Sequence, residues 1–327
     1  MSPRPWRRIL LPIAIATAVL ACTAQAASAA APAVTTGGAA VTPSTATFTG
    51  SVDPQGLSTT YWFEYGTTSA YGSRTPTTGA GSGSSRITAA GTAANLAANT
   101  VYHYRLVARN RDGTTRGARH TVRTQRAPLG LSLAAAPNPV PFGTAATLGG
   151  VLSGTGNAGR QVQVFQNPFP YIAGFTPIGA PVTTTPDGTF AVPIGALPIT
   201  TQFRARLVAD TSIASDILIL PVAGKVSTGV QIGHRRADGV RLVRFAGRVH
   251  PARNGVQYAV QRKSKSGTRW ITVAGGITRY YDPESSYYAK RVRVRHSGTY
   301  RVFVQIVDGA LVSGTGREVT VDLTPVA

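Results

Sequence analysis

The chain has 327 residues, 33 Lys and Arg against 12 Asp and Glu, and a formal net charge of +21. At about 100 residues per domain this length holds two or three domains, and a hydrophobic content of 43% lets each bury a core. A single Cys excludes a disulfide framework and a cysteine metal site, and so few acids and His leave little for acid–base chemistry.

Taken in order, the chain opens with Arg4, Arg7 and Arg8 and no acid before Ile9. Ile9 to Ala21 is apolar, and small residues follow at Ala24-Gln25-Ala26 and Ala27-Ser28-Ala29. This charged, apolar and small-residue order reads as a signal helix over residues 1–30, removed on export. The apolar run is shorter than the about 20 residues that span a bilayer, and no second run follows. The expectation is a secreted or cell-surface protein with no transmembrane helix in the mature chain. Val19-Leu20-Ala21-Cys22 also loosely resembles a bacterial lipoprotein cleavage box, which would leave Cys22 as a lipidated N-terminus; Leu20 fits that box poorly.

The first segment, residues 31–125, alternates like a half-buried sheet. Ser44 to Val52 is one strand, closed by the turn residues Asp53-Pro54-Gln55-Gly56. Thr59 to Tyr65 puts Tyr61, Phe63 and Tyr65 on one face and Trp62 and Glu64 on the other. Thr100 to Arg109 puts Tyr102, Tyr104, Leu106 and Ala108 inward, and His103, Arg105, Val107 and Arg109 outward. Asn110-Arg111-Asp112-Gly113 turns the chain into a return strand, Thr114 to Thr124. Three stretches carry a resemblance: Val52-Asp53-Pro54-Gln55-Gly56, then Thr60-Tyr61-Trp62-Phe63-Glu64-Tyr65-Gly66 with Tyr71-Gly72, then Leu96 with Thr100-Val101-Tyr102-His103-Tyr104-Arg105. The segment resembles the fibronectin type III-like repeats of secreted bacterial proteins, and the excess of Arg over Lys with abundant Ala and Gly resembles a GC-rich, actinobacterial-type genome. The resemblance implies that the Tyr102 hydroxyl bonds back to nearby backbone. The Arg-Gly-Asp attachment tripeptide is absent, so that function is not carried over.

The second segment, residues 126–224, begins with the Pro-rich Ala136 to Gly143 as an extended edge or linker. Strands follow at Ala145–Leu152, Arg160–Gln166, Thr189–Pro193, Thr201–Leu207 and Ile217–Val222. The third, residues 225–327, reads as strands at Arg241–Val249, Gly255–Arg262, Arg269–Ala274, Ala289–Arg295, Thr299–Val307 and Arg317–Leu323. Leu148-Gly149-Gly150-Val151 matches Phe245-Ala246-Gly247-Arg248-Val249, and Gln202-Phe203-Arg204-Ala205 matches Thr299-Tyr300-Arg301-Val302. Both segments resemble bacterial immunoglobulin-like repeats. The expected fold is all-β: three consecutive β-sandwich domains, one fibronectin type III-like and two immunoglobulin-like, forming an array with small contacts between repeats.

No catalytic, cofactor or metal constellation stands out. The five His show no metal-binding spacing, and most acids sit in turns such as Asp187-Gly188, Asp238-Gly239 and Asp308-Gly309. Asp282 and Glu284 read either as a carboxylate pair or as a loop cap, which Pro283 between them favours. Gly154-Thr155-Gly156-Asn157-Ala158-Gly159 fits a dinucleotide fingerprint literally, but an alternating strand follows it where a helix is required. No specific nucleic-acid motif is present.

Charge is the informative feature. The first segment carries eight Arg against three acids, the second four against three, and the third eighteen Lys and Arg against six. Genome bias acts on all three alike, so the concentration in the third has another cause. Alternation sets Arg244, Arg248, Arg291, Arg293, Arg295 and Arg301 opposite the apolar residues of their strands, as a basic outer face. Such a face attracts polyanions: anionic cell-wall polymer, acidic polysaccharide, lipid headgroups or extracellular DNA. The alternative reading is a face that only solubilises and blocks edge pairing. Trp62 and Trp270 are the candidate aromatic platforms, for stacking either an Arg or a sugar. These features point to a non-catalytic secreted or surface scaffold that grips anionic polymer through its third segment. The alternatives are a carbohydrate-binding accessory module of an extracellular hydrolase system, and adhesion through strand edges.

Overall fold

The structure is a computed structural model that describes residues 30–235 and 240–323. The expected signal segment with Cys22, and the expected turn at Asp238-Gly239, lie outside the described residues. Within them every regular element is a strand, and no helix is long and apolar enough to cross a membrane. The chain divides into two compact units, Met1–Gln125 and Arg126–Ala327.

In the first unit β1 (Ala33–Val41), β2 (Ala46–Asp53), β3 (Thr59–Gly66), β4 (Ser73–Arg74), β5 (Thr78–Gly81), β6 (Ile87–Ala93), β7 (Val101–Asn110), β8 (Gly113–Arg116) and β9 (His120–Arg123) form two antiparallel sheets. One has the order β1-β2-β6; in the other β3 and β7 are central, flanked by β4 and β5 on one side and β8 and β9 on the other. This is the two-sheet division of an immunoglobulin-like or fibronectin type III-like sandwich. The inward alternation makes the core: Phe48, Phe63, Leu106 and Ala108 are fully buried, and Phe48 stacks on Tyr104 at 4.5 Å between ring centroids. The Tyr102 hydroxyl accepts the backbone N–H of Ala97 at 3.0 Å, the corner bond that the resemblance implied.

The second unit holds two sandwiches of matching strand order. The first has β10 (Gly130–Ala136), β11 (Val140–Pro141), β12 (Ala146–Ser153), β13 (Gln161–Pro168), β14 (Thr176–Pro177), β15 (Val182–Thr183), β16 (Thr189–Ile194), β17 (Thr201–Leu207), β18 (Leu218–Leu220) and β19 (Val222–Ala223). Its sheets are β10-β12-β16, β14-β13-β17-β18 with β15 also on β13, and the parallel pair β11-β19. Gly154 to Gly159 is the loop from β12 to β13, with no helix after it. The next sandwich has β20 (Lys225–Val226), β21 (Gly229–Arg235), β22 (Arg241–His250), β23 (Gln257–Lys263), β24 (Trp270–Ile277), β25 (Arg279–Asp282), β26 (Ser285–Val294), β27 (Gly298–Val304), β28 (Gly314–Thr315) and β29 (Val319–Val321). Its sheets are β20-β22-β26-β25, with β21 also on β22, and β24-β23-β27-β28, with β29 also on β27.

Small contacts between repeats do not describe this unit. The Gly224 N–H donates to the Val312 carbonyl at 3.1 Å, the Val312 N–H to Val222 at 2.9 Å, and the Thr200 N–H to Ala310 at 2.8 Å. A Cβ on Gly314 would stand 1.9 Å from the Gly224 carbonyl oxygen, so only glycine lets the two backbones meet. One buried cluster runs from Val140 through Val222 and Leu311 to Val321. Length and composition could not reveal this, because the residues that make the join are ordinary apolar and turn residues.

Candidate functional site: a basic, tyrosine-lined sheet face

The basic face is built on β22 and β26. Val243, Phe245 and Val249 of β22, and Tyr288, Val292 and Val294 of β26, are buried. Alternation therefore turns the residues between them to the outer face. The register sets Leu242 beside Arg293, Arg244 beside Arg291, Ala246 beside Ala289, and Arg248 beside Tyr287. Side chains directly opposite on one face have Cβ atoms about 5 Å apart, where like charges repel. Arg244 is partly occupied: its Nη1 donates to Gln231 Oε1 at 3.2 Å from neighbouring β21. Among the described residues neither Arg291 nor Arg293 has an ion-pair or hydrogen-bond partner from a side chain.

Beside this strip lies a shallow groove of about 460 Å³. Its lining includes Arg244, Ala246, Gly247, Arg248, Tyr281 and Tyr287. The floor is low because Ala246 is small; Gly247 faces the other way, where a Cβ would stand 1.8 Å from the Ser227 carbonyl oxygen and 2.8 Å from the Tyr288 hydroxyl. One wall is rigid. The Arg248 guanidinium lies over the Tyr281 ring at 3.8 Å, and its Nη1 is 3.7 Å from Asp282 Oδ2. Asp282 Oδ1 accepts the Ser285 hydroxyl at 2.8 Å and the backbone N–H groups of Ser285 at 2.6 Å and Glu284 at 3.0 Å. The Ser285 hydroxyl above all holds this carboxyl below the usual carboxylate range; desolvation opposes it, and the two amides and Arg248 each add a lesser pull downward. Asp282 is thus the loop cap that the sequence suggested, and its second oxygen also faces the groove's arginine. Tyr281 is 51% exposed and meets Tyr287 edge-on at 6.4 Å.

The six sequence-picked arginines do not share one surface. Arg244, Arg248, Arg291 and Arg293 lie on this face, and Arg295 is exposed just beyond the end of β26. Arg301 belongs to the other sheet. It sits on β27 opposite Gln261, donates to Gln261 Oε1 at 2.9 Å, and lies over the Trp270 ring at 4.2 Å. Alternation separates inside from outside but not one sheet from the other, and the turn after Arg295 carries the chain across the sandwich. Trp270 is flanked on its second contact by Lys263 Nζ at 5.5 Å, which also bonds Glu318 at 3.3 Å.

Trp62 is half-buried and stands opposite Val107, which is fully buried although it is on the outer face. An arginine does lie over the indole, but it is Arg74 at 5.9 Å. Arg105 is taken by Glu64 at 2.7 Å and by the Tyr71 ring at 4.6 Å. The sequence reading missed Gln231, Tyr281 and Tyr287. The Tyr-Tyr doublets on either side of Asp282-Pro283-Glu284 were the available signal, since a doublet in a strand sends one ring outward. Among the described residues no cluster of three or more His, Cys, Asp or Glu is arranged to hold a metal.

No protein-family model matches the chain, and no curated protein matches it. Among solved structures, a tetra-tandem repeat in the extending region of a large adhesion protein is 14% identical, the match covering 90% of this chain and 75% of that one at a TM-score of 0.28. The FN1–FN3 domains of chicken CNTN1 are 13% identical, covering 89% of this chain and 98% of that one at a TM-score of 0.32.

Proposed function

We propose that the protein is a non-catalytic scaffold, exported to the cell surface or beyond, that holds anionic polymer on the outer face of β22 and β26. One observation carries this reading. Arg244 and Arg291 stand directly opposite each other, with Arg293 next in line, and the last two lack side-chain partners. Like charges so placed cost stability, and a polyanion lying across them reverses that cost. The solubilising role suggested by composition needs charge on the surface but no such concentration on adjacent strands. The chain's large positive charge also speeds encounter with a negative surface.

The test is binding of the purified chain to an immobilised polyanion across a salt series. Affinity falls steeply with salt, because exposed charges are screened within about 8–10 Å at physiological ionic strength. Three engaged cations give a log–log slope of roughly −2 to −3. Failure to retain any polyanion at low salt would remove the proposal.

A further inference from the structure

A strip of arginines alone would grip any polyanion, but the neighbouring groove contains groups that a purely electrostatic grip does not need. At its edge, next to the lining residue Tyr281, Asp282 places a carboxylate oxygen 3.7 Å from Arg248 Nη1. That carboxylate repels phosphate and sulfate, yet it accepts hydrogen bonds from hydroxyl groups. Arg248 is not a loose cation: the Tyr281 ring and Asp282 hold its planar donors in place. Tyr281 adds an exposed ring and hydroxyl, and Ala246 keeps the floor low enough for a flat ring to reach the sheet. The groove therefore presents fixed donors and an aromatic wall with an acceptor at its edge, next to Arg291 and Arg293, which lack side-chain partners.

From this we infer that the β22–β26 face is a recognition site for an acidic glycan, a pyranose chain bearing anionic substituents. Its hydroxyl-rich rings lie in the groove against Tyr281, Arg248 and Asp282, and its anionic groups reach Arg244, Arg291 and Arg293. Arg244 and Arg248 are four residues apart on one strand, about 13 Å at the rise of an antiparallel strand, so the site extends beyond one ring. Single-stranded nucleic acid fits less well. It needs successive open aromatic faces, whereas one face of Tyr281 is covered by Arg248 and Tyr287 meets Tyr281 edge-on. The inference rests on the polyanion reading proposed above and adds the identity of the polymer.

The experiment compares the purified chain on polygalacturonate, heparin, polyphosphate and oligo-dT at equal ionic strength, with dextran as the neutral control. The two glycan arms separate carboxylate from sulfate as the anionic group. At least one acidic glycan is expected to bind about tenfold more tightly than polyphosphate or oligo-dT, a difference large enough to read directly. Tyr281→Ala and Ala246→Leu, which remove the wall and fill the floor without touching the core, lower glycan affinity about tenfold and leave polyphosphate binding within twofold. Asp282→Asn keeps the turn's acceptor, weakens the glycan and strengthens polyphosphate. Equal binding of all four polyanions, unmoved by Tyr281→Ala, overturns the inference but leaves the polyanion grip standing. Tighter binding of oligo-dT assigns the face to nucleic acid and also overturns it. Binding of none at low salt removes both readings.

Discussion

The hydroxyl of Tyr288 donates to the Ser227 carbonyl at 2.6 Å and shares a 2.9 Å bond with Thr228 Oγ1. These two contacts pin the kink between β20 and β21 to the strand that carries the arginines. Burial pushes the phenol up to about 12; the Thr228 bond pulls it down a little and the nearby Tyr258 pushes it further up. The unfolded phenol titrates near 10. A folded pKa above the unfolded one means that stability is fully present below pH 10 and is lost as pH rises toward 12, by about 2–3 kcal/mol from this residue. Burial also raises the phenols of Tyr104, Tyr258 and Tyr300, so their contributions run in the same direction. Tyr288→Phe leaves the Ser227 carbonyl short of a donor and should cost about 1–2 kcal/mol at neutral pH. It should also flatten the alkaline loss, because the titrating group is gone. Urea unfolding at pH 8 and pH 11, wild type against variant, measures both; an unchanged difference between the two pH values would contradict the assignment.

At the scale of the element, β26 and β27 follow one another in the chain yet place their arginines on opposite sheets. This separates two variants that composition would treat as equal. Arg291→Ala should lower affinity for a polyanion about fivefold at low salt and reduce the salt slope by about one. Arg301→Ala should leave binding within twofold and destabilise the fold by about 0.5–1 kcal/mol, since its guanidinium is spent on Trp270 and Gln261. Equal losses of binding from both would mean that the two faces act together. The same contrast marks what was legible beforehand. Strand existence and facing were readable where one side is apolar, as in Thr59–Gly66 and Val101–Asn110, whose buried positions follow the alternation except at Val107. Strands with weak alternation were not, such as Ala33–Val41 with its Gly37-Gly38 bulge or Gly130–Ala136. The arginine half of the site was visible because charge against an apolar period is a local signal. The Tyr281–Arg248–Asp282 wall was not, because β25 meets β22 only through β26, and pairing across an intervening strand leaves no mark in linear order.

The whole-molecule question is whether the two sandwiches of Arg126–Ala327 act as one body. Their join includes backbone as well as a shared buried cluster: in the segment Pro221 to Gly224, the Pro221 and Ala223 carbonyls accept the N–H groups of Val140 and Phe142 on one side, and Val222 and Gly224 bond Val312 on the other. Such a segment cannot unpair from one sandwich without exposing donors and acceptors of the other, and buried backbone groups left unpaired are costly. The consequence is shared unfolding. Trp270 lies in the later sandwich and Leu220, fully buried, lies in the earlier one. Leu220→Ala should cost about 2–5 kcal/mol through the cavity it leaves. In a unit of this size about 3 kcal/mol lowers the melting temperature by roughly 6–12 °C. In a Trp6→Phe, Trp62→Phe background the fluorescence of Trp270 follows the later sandwich, and under shared unfolding its transition should move down with Leu220→Ala although the substitution is in the other sandwich. A Trp270 transition that stays in place would show that the join yields first and that each sandwich melts alone.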